Sequence, residues 1–261
     1  MKHSILLATS ITTMLVLSFS EFFAQKKSQS WLLDKMPADL ERDYALSALP
    51  PHLRAHATVY LLDPKKGYYM ERKGTNGFSA FVNRTEFERA NFAPDIYEPI
   101  SYDSAGSLAY LSPFFDVAAM RASGKYSPLQ ILDTIVNRVK NETYKPASRV
   151  GVSYMLEPFM RIQHEQGIVN EVMPHYMFYA PYLDDHDIGG IWVTGGHSPF
   201  MVNSGEALDK SHSIFNFIII AAGETEKAKI LEDNKDLMRR LAEYKPFLKI
   251  VTGNEALQHT H

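Results

Sequence analysis

The chain has 261 residues, of which 45% are hydrophobic and 22% are charged, a composition typical of a globular protein with a sizeable core. It contains no cysteine, which excludes disulfide bonds, thiolate metal sites and cysteine nucleophiles. The net charge of −3 provides no basic surface for nucleic acid, so we expect no nucleic acid partner.

Residues 1–25 have the pattern of an export signal. A short basic start precedes the run from Ile5 to Phe19, which is uncharged and rich in Leu, Ile, Val and Met. Such a run is shorter than the roughly 20 residues that span a bilayer, which favours a cleaved signal peptide over a membrane anchor, the alternative interpretation. Cleavage after Ser20 or near Ala24 predicts a periplasmic or secreted protein without stable membrane insertion.

The mature chain is predicted to form one α+β domain. We expect an antiparallel sheet with a hairpin near the N-terminus, packed helices and a long amphipathic C-terminal helix. The domain is predicted over residues 26–222, and the C-terminal helix and tail over residues 223–261. The chain has no internal repeat and no low-complexity linker that would divide this domain further.

The N-terminal half predicts one helix and three strands. Pro37 favours a helix over residues 38–49, because proline is tolerated in the first turn of a helix. Residues 91–112 are rich in Pro, Tyr and Ser and predict an irregular loop. β-branched and aromatic residues predict three successive antiparallel strands, at residues 58–63, 68–73 and 78–82.

The C-terminal half predicts further helices and strands. Ser127 is a good N-cap for a helix that continues to about Glu142, and Ile131 and Ile135 lie on one face of it. An earlier helix is predicted over residues 113–122. The final segment carries an apolar stripe among charged residues and predicts a single long helix over residues 224–248. Three more strands are predicted, at residues 150–156, 176–179 and 215–222.

The segment around His186 concentrates residue types that carry out chemistry, whereas nucleophile-elbow and phosphate-loop motifs are absent. Imidazoles and carboxylates bind divalent metals, so His175, His186, His197 and Asp185 form a candidate metal site. An imidazole between carboxylates is held in one tautomer and made more basic, as a general base requires. His186 with Asp187 is therefore a candidate catalytic pair. This pattern predicts an extracytoplasmic hydrolase, either metal-assisted or acid–base.

Two other interpretations of this segment remain open. The spacing of the histidines matches no known metal motif, and the segment also fits a strand of aromatic core residues that ends in a solvated acidic turn. Alternatively, Tyr176, Tyr179, Tyr182 and Trp192 form the stacking surface of a protein that binds a small molecule, a peptide or a glycan. Asn76, in a turn whose N–H groups could face an anion, is a further candidate ligand-binding residue. A structural role, with the C-terminal helix at an interface, is the third hypothesis.

Several blocks of the sequence occur together in a fixed order. They are Pro51–Arg54, Thr58–Tyr60, Gly74–Phe78, Ser101–Asp103 with Gly106, Gly151–Met155, His175–Tyr182 and Asp187–Gly189. In this order the chain resembles a family of exported bacterial proteins of unknown function. The resemblance covers roughly residues 45 to 221 and leaves the final helix outside it. It implies a bacterial, exported setting and no particular activity.

Overall fold

The computed structural model describes residues 33–85, 92–164, 167–189, 199–203 and 213–250. These residues form an α+β fold with a large sheet of eight strands, a separate two-stranded hairpin and six α-helices. Within these ranges no helix is both long enough and apolar enough to cross a membrane. The predicted signal peptide lies outside the described residues.

Helices and strands are distributed along the whole of the described chain. The helices are α1 (Ala38–Ser47), α2 (Pro51–Arg54), α3 (Ser104–Ser123), α4 (Pro128–Lys140), α5 (Glu224–Asp233) and α6 (Lys235–Tyr244), with a 3-10 turn at Pro246–Leu248. The strands are β1 (Thr58–Asp63), β2 (Gly67–Arg72), β3 (Ser79–Asn83), β4 (Glu98–Tyr102), β5 (Val152–Met155), β6 (Met160–His164), β7 (Gly167–Glu171), β8 (His175–Tyr179), β9 (Phe200–Asn203) and β10 (Asn216–Ala221). The large sheet has the order β2-β1-β3-β4-β5-β8-β10-β9, and β6 pairs with β7.

The large sheet is mixed, so the prediction of a wholly antiparallel sheet was wrong. β1 and β2 form the predicted antiparallel hairpin. β3, however, pairs with β1 and runs parallel to it. The segment between β2 and β3 crosses the start of β1, where the N–H groups of Thr75 and Asn76 donate to the carbonyl of His56. Turn residues mark a change of direction but not the strand that is reached next, so they predict a tight hairpin where the chain makes a crossover.

The bounds of the helices correct two further predictions, one for a loop and one for the C-terminal helix. Residues 91–112 were predicted as a loop, but they contain β4 and the first half of α3, which begins after the N-cap Asp103 and continues through Pro113. The predicted long C-terminal helix is interrupted at Asn234, which separates α5 from α6. The Nδ2 group of Asn234 donates to the carbonyl of Ile230 at 2.7 Å, a local bond that competes with the regular helical pattern.

Local signals that do not depend on distant contacts were confirmed. The hydroxyl of Ser127 accepts the N–H of Gln130, whose side chain accepts the N–H of Ser127 in return. Ile131 and Ile135 of that helix are buried. The strands predicted near residues 150–156, 176–179 and 215–222 correspond to β5, β8 and β10. The polar strands β6 and β7 and the short β9 were not predicted, since they carry no strong apolar alternation.

The large sheet separates two hydrophobic cores. One face packs against α3 and α4, with Tyr102 and Tyr110 at its centre. The other face packs against α1 and α6, with Tyr44 and Leu241 among its buried residues. Because successive residues of a strand point to opposite faces, each strand contributes to both sides. This alternation decides which tyrosines can share a surface.

Candidate functional site

The structure does not bring the predicted metal ligands together. β8 runs from His175 to Tyr179, and four steps of about 3.3 Å separate its ends by about 13 Å. His175 begins this strand, whereas Asp185 and His186 follow its far end. His197 lies outside the described residues. Among the residues that the structure describes, no group of three or more His, Asp and Glu side chains could hold a metal ion.

His175 is a core residue at the start of β8. Only 2% of its surface is exposed, and its Nδ1 lies 2.6 Å from the carbonyl oxygen of Met173. Burial lowers the pKa of His175, although the bond to Met173 and the charge of Glu171 oppose that effect. Burial therefore favours the neutral imidazole, whose Nδ1–H donates a hydrogen bond to the carbonyl of Met173.

The aspartates around His186 form the hydrogen bonds of their own turn. Asp184 Oδ1 accepts the N–H groups of His186 and Asp187, at 2.8 and 3.1 Å. Asp187 Oδ2 accepts the N–H of Asp184 at 2.9 Å, and Asp185 Oδ1 accepts the N–H of Met201 in β9 at 3.1 Å. Within the described ranges, no carboxylate is hydrogen-bonded to the exposed imidazole of His186. The segment is a self-capped acidic turn that is joined to β9.

The three predicted tyrosines do not share one surface. Tyr179 is 6% exposed and packs in the core beneath α3. Tyr176 precedes it by three residues and therefore lies on the opposite face of β8. Tyr182 is 51% exposed, has a positive φ of 69° and follows the end of the strand. A single stacking platform made of these three rings is therefore not present.

Tyr179 belongs to a buried polar cluster centred on Asp103. Asp103 Oδ1 accepts the Tyr179 hydroxyl at 3.0 Å and the Gly106 N–H at 2.9 Å. Its Oδ2 accepts the Val152 N–H at 3.3 Å and lies 3.8 Å from Nη1 of Arg149. Burial and the carboxylate of Asp103 raise the pKa of Tyr179, so its hydroxyl stays protonated and remains a donor. The cluster joins β4, β5 and β8 to the start of α3.

Two glycines make room for this cluster. A Cβ atom on Gly106 would overlap the hydroxyl of Tyr179, and a Cβ atom on Gly151 would overlap the carboxylate of Asp103. Both approaches are closer than the 3.0 Å that real Cβ contacts respect. The hydrogen bonds of Asp103 are thus satisfied within the protein, which indicates a structural role for the cluster.

An aromatic row lies on the other face of the sheet. We define it as Phe78, just before β3, Tyr154 of β5 and Tyr176 of β8. The ring centroids of Phe78 and Tyr154 are 5.8 Å apart, as are those of Tyr154 and Tyr176. All three side chains are half-buried. Ser101 of β4 pairs with Tyr154, and its hydroxyl donates to the Tyr154 carbonyl at 2.9 Å.

A small pocket opens beside Tyr176 at one end of the aromatic row. Its volume is about 140 Å³, and its walls come from the α1–α2 turn, from Leu156 and from α5. The hydroxyl of Tyr176 donates to Oε1 of Glu226 at the pocket, and burial followed by that carboxylate raises the pKa of Tyr176 to about 12. The polar and charged groups that line the pocket are those of Arg54, Tyr176, Glu226, Lys229, Asp233 and Asn234.

Arg54 is a half-buried cation of this pocket. Its Nε donates to the carbonyl of Leu49 at 2.8 Å, and its Nη2 donates to the carbonyl of Ser47 at 3.2 Å. Its Nη1 has no acceptor, and no carboxylate forms a salt bridge with it, among the described residues. Burial lowers the pKa of Arg54, while the more distant charge of Asp233 opposes the change. The guanidinium is held in place by backbone carbonyls and not by a counter-ion.

Asn76 connects the aromatic row to α2, the short helix that ends at Arg54. Its Nδ2 donates to the carbonyl of Leu53 at 2.8 Å, and its Oδ1 accepts the N–H of Phe78 at 3.1 Å. The N–H groups of Thr75 and Asn76 are used by the carbonyl of His56. Asn76 therefore positions Phe78 beside α2. The N–H groups of Thr75 and Asn76 are not available to an anion, contrary to the prediction for this turn.

The sequence prediction identified Tyr176 and Asn76 but missed Arg54, Phe78 and Tyr154. A signal for them was present, since all three belong to the sequence blocks that resemble a family of exported proteins. Comparison of the chain with protein-family models, with curated proteins and with solved structures gave no match. That resemblance therefore stays a prediction, and the function must be inferred from the geometry of the aromatic row and its pocket.

Proposed function

We propose that this protein is an exported binding protein for a small molecule, a peptide or a glycan. In this proposal the ligand lies on the aromatic row and places one end in the adjoining pocket. The observation that carries the proposal is the aromatic row, Phe78, Tyr154 and Tyr176, which leads into a cavity of about 140 Å³ beside Arg54. Partly exposed rings bind apolar faces by stacking, and a few convergent polar groups fix the orientation of a ligand.

Binding is favoured over hydrolysis by the groups at the pocket. No histidine lies among the described residues that line it. Of its carboxylates, Glu226 accepts from Tyr176 and Asp233 accepts from Lys229 at 2.7 and 3.0 Å. No Ser or Thr that could act as a nucleophile lies among the described lining residues either. The arrangement supplies a cation and aromatic surface, which suit recognition.

The test is a thermal-shift screen of the mature protein against saccharides, amino acids and short peptides. A ligand at 100 times its Kd should stabilise the wild type by about 2.7 kcal/mol. Tyr154→Ala removes the central ring of the aromatic row and should abolish that shift. Tyr69→Ala is the matched control, because Tyr69 is 41% exposed on the edge strand β2. A ligand that stabilises Tyr154→Ala as strongly as the wild type would contradict the proposal.

A further inference from the structure

We infer that the pocket beside Tyr176 recognises a carboxylate, so that the ligand is a monocarboxylate whose remaining part lies on the aromatic row. This inference rests on the proposed function and assigns the chemical class of its ligand. It starts from Arg54, the half-buried guanidinium that forms no salt bridge with the described residues. Removing a cation from water without an anion beside it is unfavourable, and a bound carboxylate would supply the missing partner.

The other charged groups at the pocket, Lys229, Asp233 and Glu226, already have partners within the protein. Lys229 Nζ contacts both carboxylate oxygens of Asp233, at 2.7 and 3.0 Å. Glu226 accepts the hydrogen bond of the Tyr176 hydroxyl. Among the described residues that line the pocket, Arg54 is thus the cation without a salt bridge. One such cation matches the single charge of a monocarboxylate and not the two charges of a phosphate dianion.

The guanidinium of Arg54 is prepared for this contact. The carbonyls of Leu49 and Ser47 hold its Nε and Nη2, so its plane is fixed before any ligand arrives. Nη1 and the second N–H of Nη2 are left to donate to the ligand, since only one bond of Nη2 is formed among the described residues. A pre-oriented donor binds its acceptor without first losing side-chain conformational freedom. The contact is therefore a charge-assisted hydrogen bond from the guanidinium to the ligand carboxylate.

The size of the pocket limits what can enter it. A volume of about 140 Å³ is smaller than the roughly 300–1,000 Å³ of sites that enclose a whole small molecule. The pocket therefore takes one end of the ligand, and the rest of the ligand extends outward. Tyr176 belongs both to the pocket and to the aromatic row, and it leads the ligand onto the rings of Tyr154 and Phe78. Two sources have this chemistry, the C-terminal residue of a peptide and a uronic acid.

The experiment compares acids with their neutral counterparts by calorimetry on the mature protein. The peptide pair is N-acetyl-L-phenylalanine and its amide, and the sugar pair is D-glucuronate and D-glucose. A charge-assisted hydrogen bond predicts that one acid binds roughly 10- to 100-fold more tightly than its neutral partner. The pair that shows this preference identifies the source. Raising the salt concentration should weaken binding of the acid and leave its neutral partner unchanged.

Variants separate the two parts of the site. Arg54→Gln should reduce the affinity for the acid to that of its neutral partner, whereas Tyr154→Ala should weaken both compounds equally. Glu226→Gln keeps an acceptor for Tyr176 and removes a negative charge, so it should strengthen binding of the acid. If Arg54→Gln does not fold, the salt dependence of acid binding to the wild type tests whether a cation holds the ligand.

Two outcomes would refute the inference in distinguishable ways. Equal binding of acid and neutral compound, still dependent on Tyr154, would overturn carboxylate recognition and leave the proposed function standing. Absence of binding by all four compounds, together with no stabilising ligand in the thermal-shift screen, would overturn the proposed function together with the inference.

Discussion

Replacing Glu41 by Gln should stabilise the fold at neutral and alkaline pH and have little effect in acid. Glu41 lies on α1 and is 2% exposed, and its Oε1 accepts the N–H of Leu62 at 2.7 Å. Burial raises the pKa of Glu41 from 4.5 to about 7, against the opposing effects of the Leu62 N–H and of the charges of Arg84 and Lys35. The folded protein therefore binds this proton more tightly than the unfolded chain.

The size and direction of the effect follow from this pKa. The favourable contribution of protonated Glu41 is fully present below pH 4.5 and is lost as the pH rises towards 7. The difference between 4.5 and about 7 corresponds to about 3 kcal/mol, at ~1.4 kcal/mol for each tenfold change in proton affinity. Gln keeps the acceptor for Leu62 and carries no charge to bury, so Glu41→Gln should be more stable than the wild type by about that amount above pH 7.

Urea unfolding of the wild type and of Glu41→Gln, at pH values from below 4.5 to above 7, measures this difference. The two free energies of unfolding should converge at the acid end and separate as the pH rises. Glu224→Gln is the control, because the Glu224 side chain is 85% exposed. A difference between Glu41→Gln and the wild type that does not change with pH would refute the reasoning.

Two predictions test the cluster around Asp103. Gly151→Ala should destabilise the fold by about 1–3 kcal/mol, because its Cβ would overlap the carboxylate of Asp103. Thermal denaturation against Gly223→Ala, where a Cβ meets nothing within 4 Å, checks this, and equal melting temperatures for the two variants would contradict it. Tyr179→Phe should cost about 1–2 kcal/mol through loss of its bond to Asp103. Tyr60→Phe is the control, because the Tyr60 hydroxyl makes no hydrogen bond with the described residues. Chemical denaturation should show a smaller loss of unfolding free energy for Tyr60→Phe, and equal losses would argue against the role given to Tyr179.

Local sequence signals predicted much of the fold because they depend on residues that are close along the chain. The capping residues at Ser127 and the apolar run of β10 each predicted an element without reference to the rest of the protein. The parallel pairing of β3 with β1 could not be predicted in this way. It depends on the path of the segment after β2, which is set by hydrogen bonds from Thr75 and Asn76 to His56. Those bonds join residues that are distant along the chain, so no local pattern reveals them.

The candidate site was predicted in part for a similar reason. Tyr176 and Asn76 were identified from residue type and from a turn pattern. Phe78 and Tyr154 became part of the same site only because β4 lies between β3 and β5 in the sheet, with Ser101 paired with Tyr154. The order of strands is a long-range property, and no pattern within one strand reveals it. The segment around His186 was predicted as a site from its residue types alone. In the structure, Asp184 and Asp187 accept backbone N–H groups of their own turn.

The contact between α1 and α6 ties the beginning of the described chain to its end. Arg240 bonds Asp43 across 197 positions of sequence, and Leu241 completes the core to which Leu40 of α1 contributes. Contacts of such long range form late, because a large loop must close before they contribute. A chain that emerges N-terminus first therefore cannot close this core until α6 has been released. A chain that lacks α6 would leave the apolar face around Leu40 and Tyr44 open.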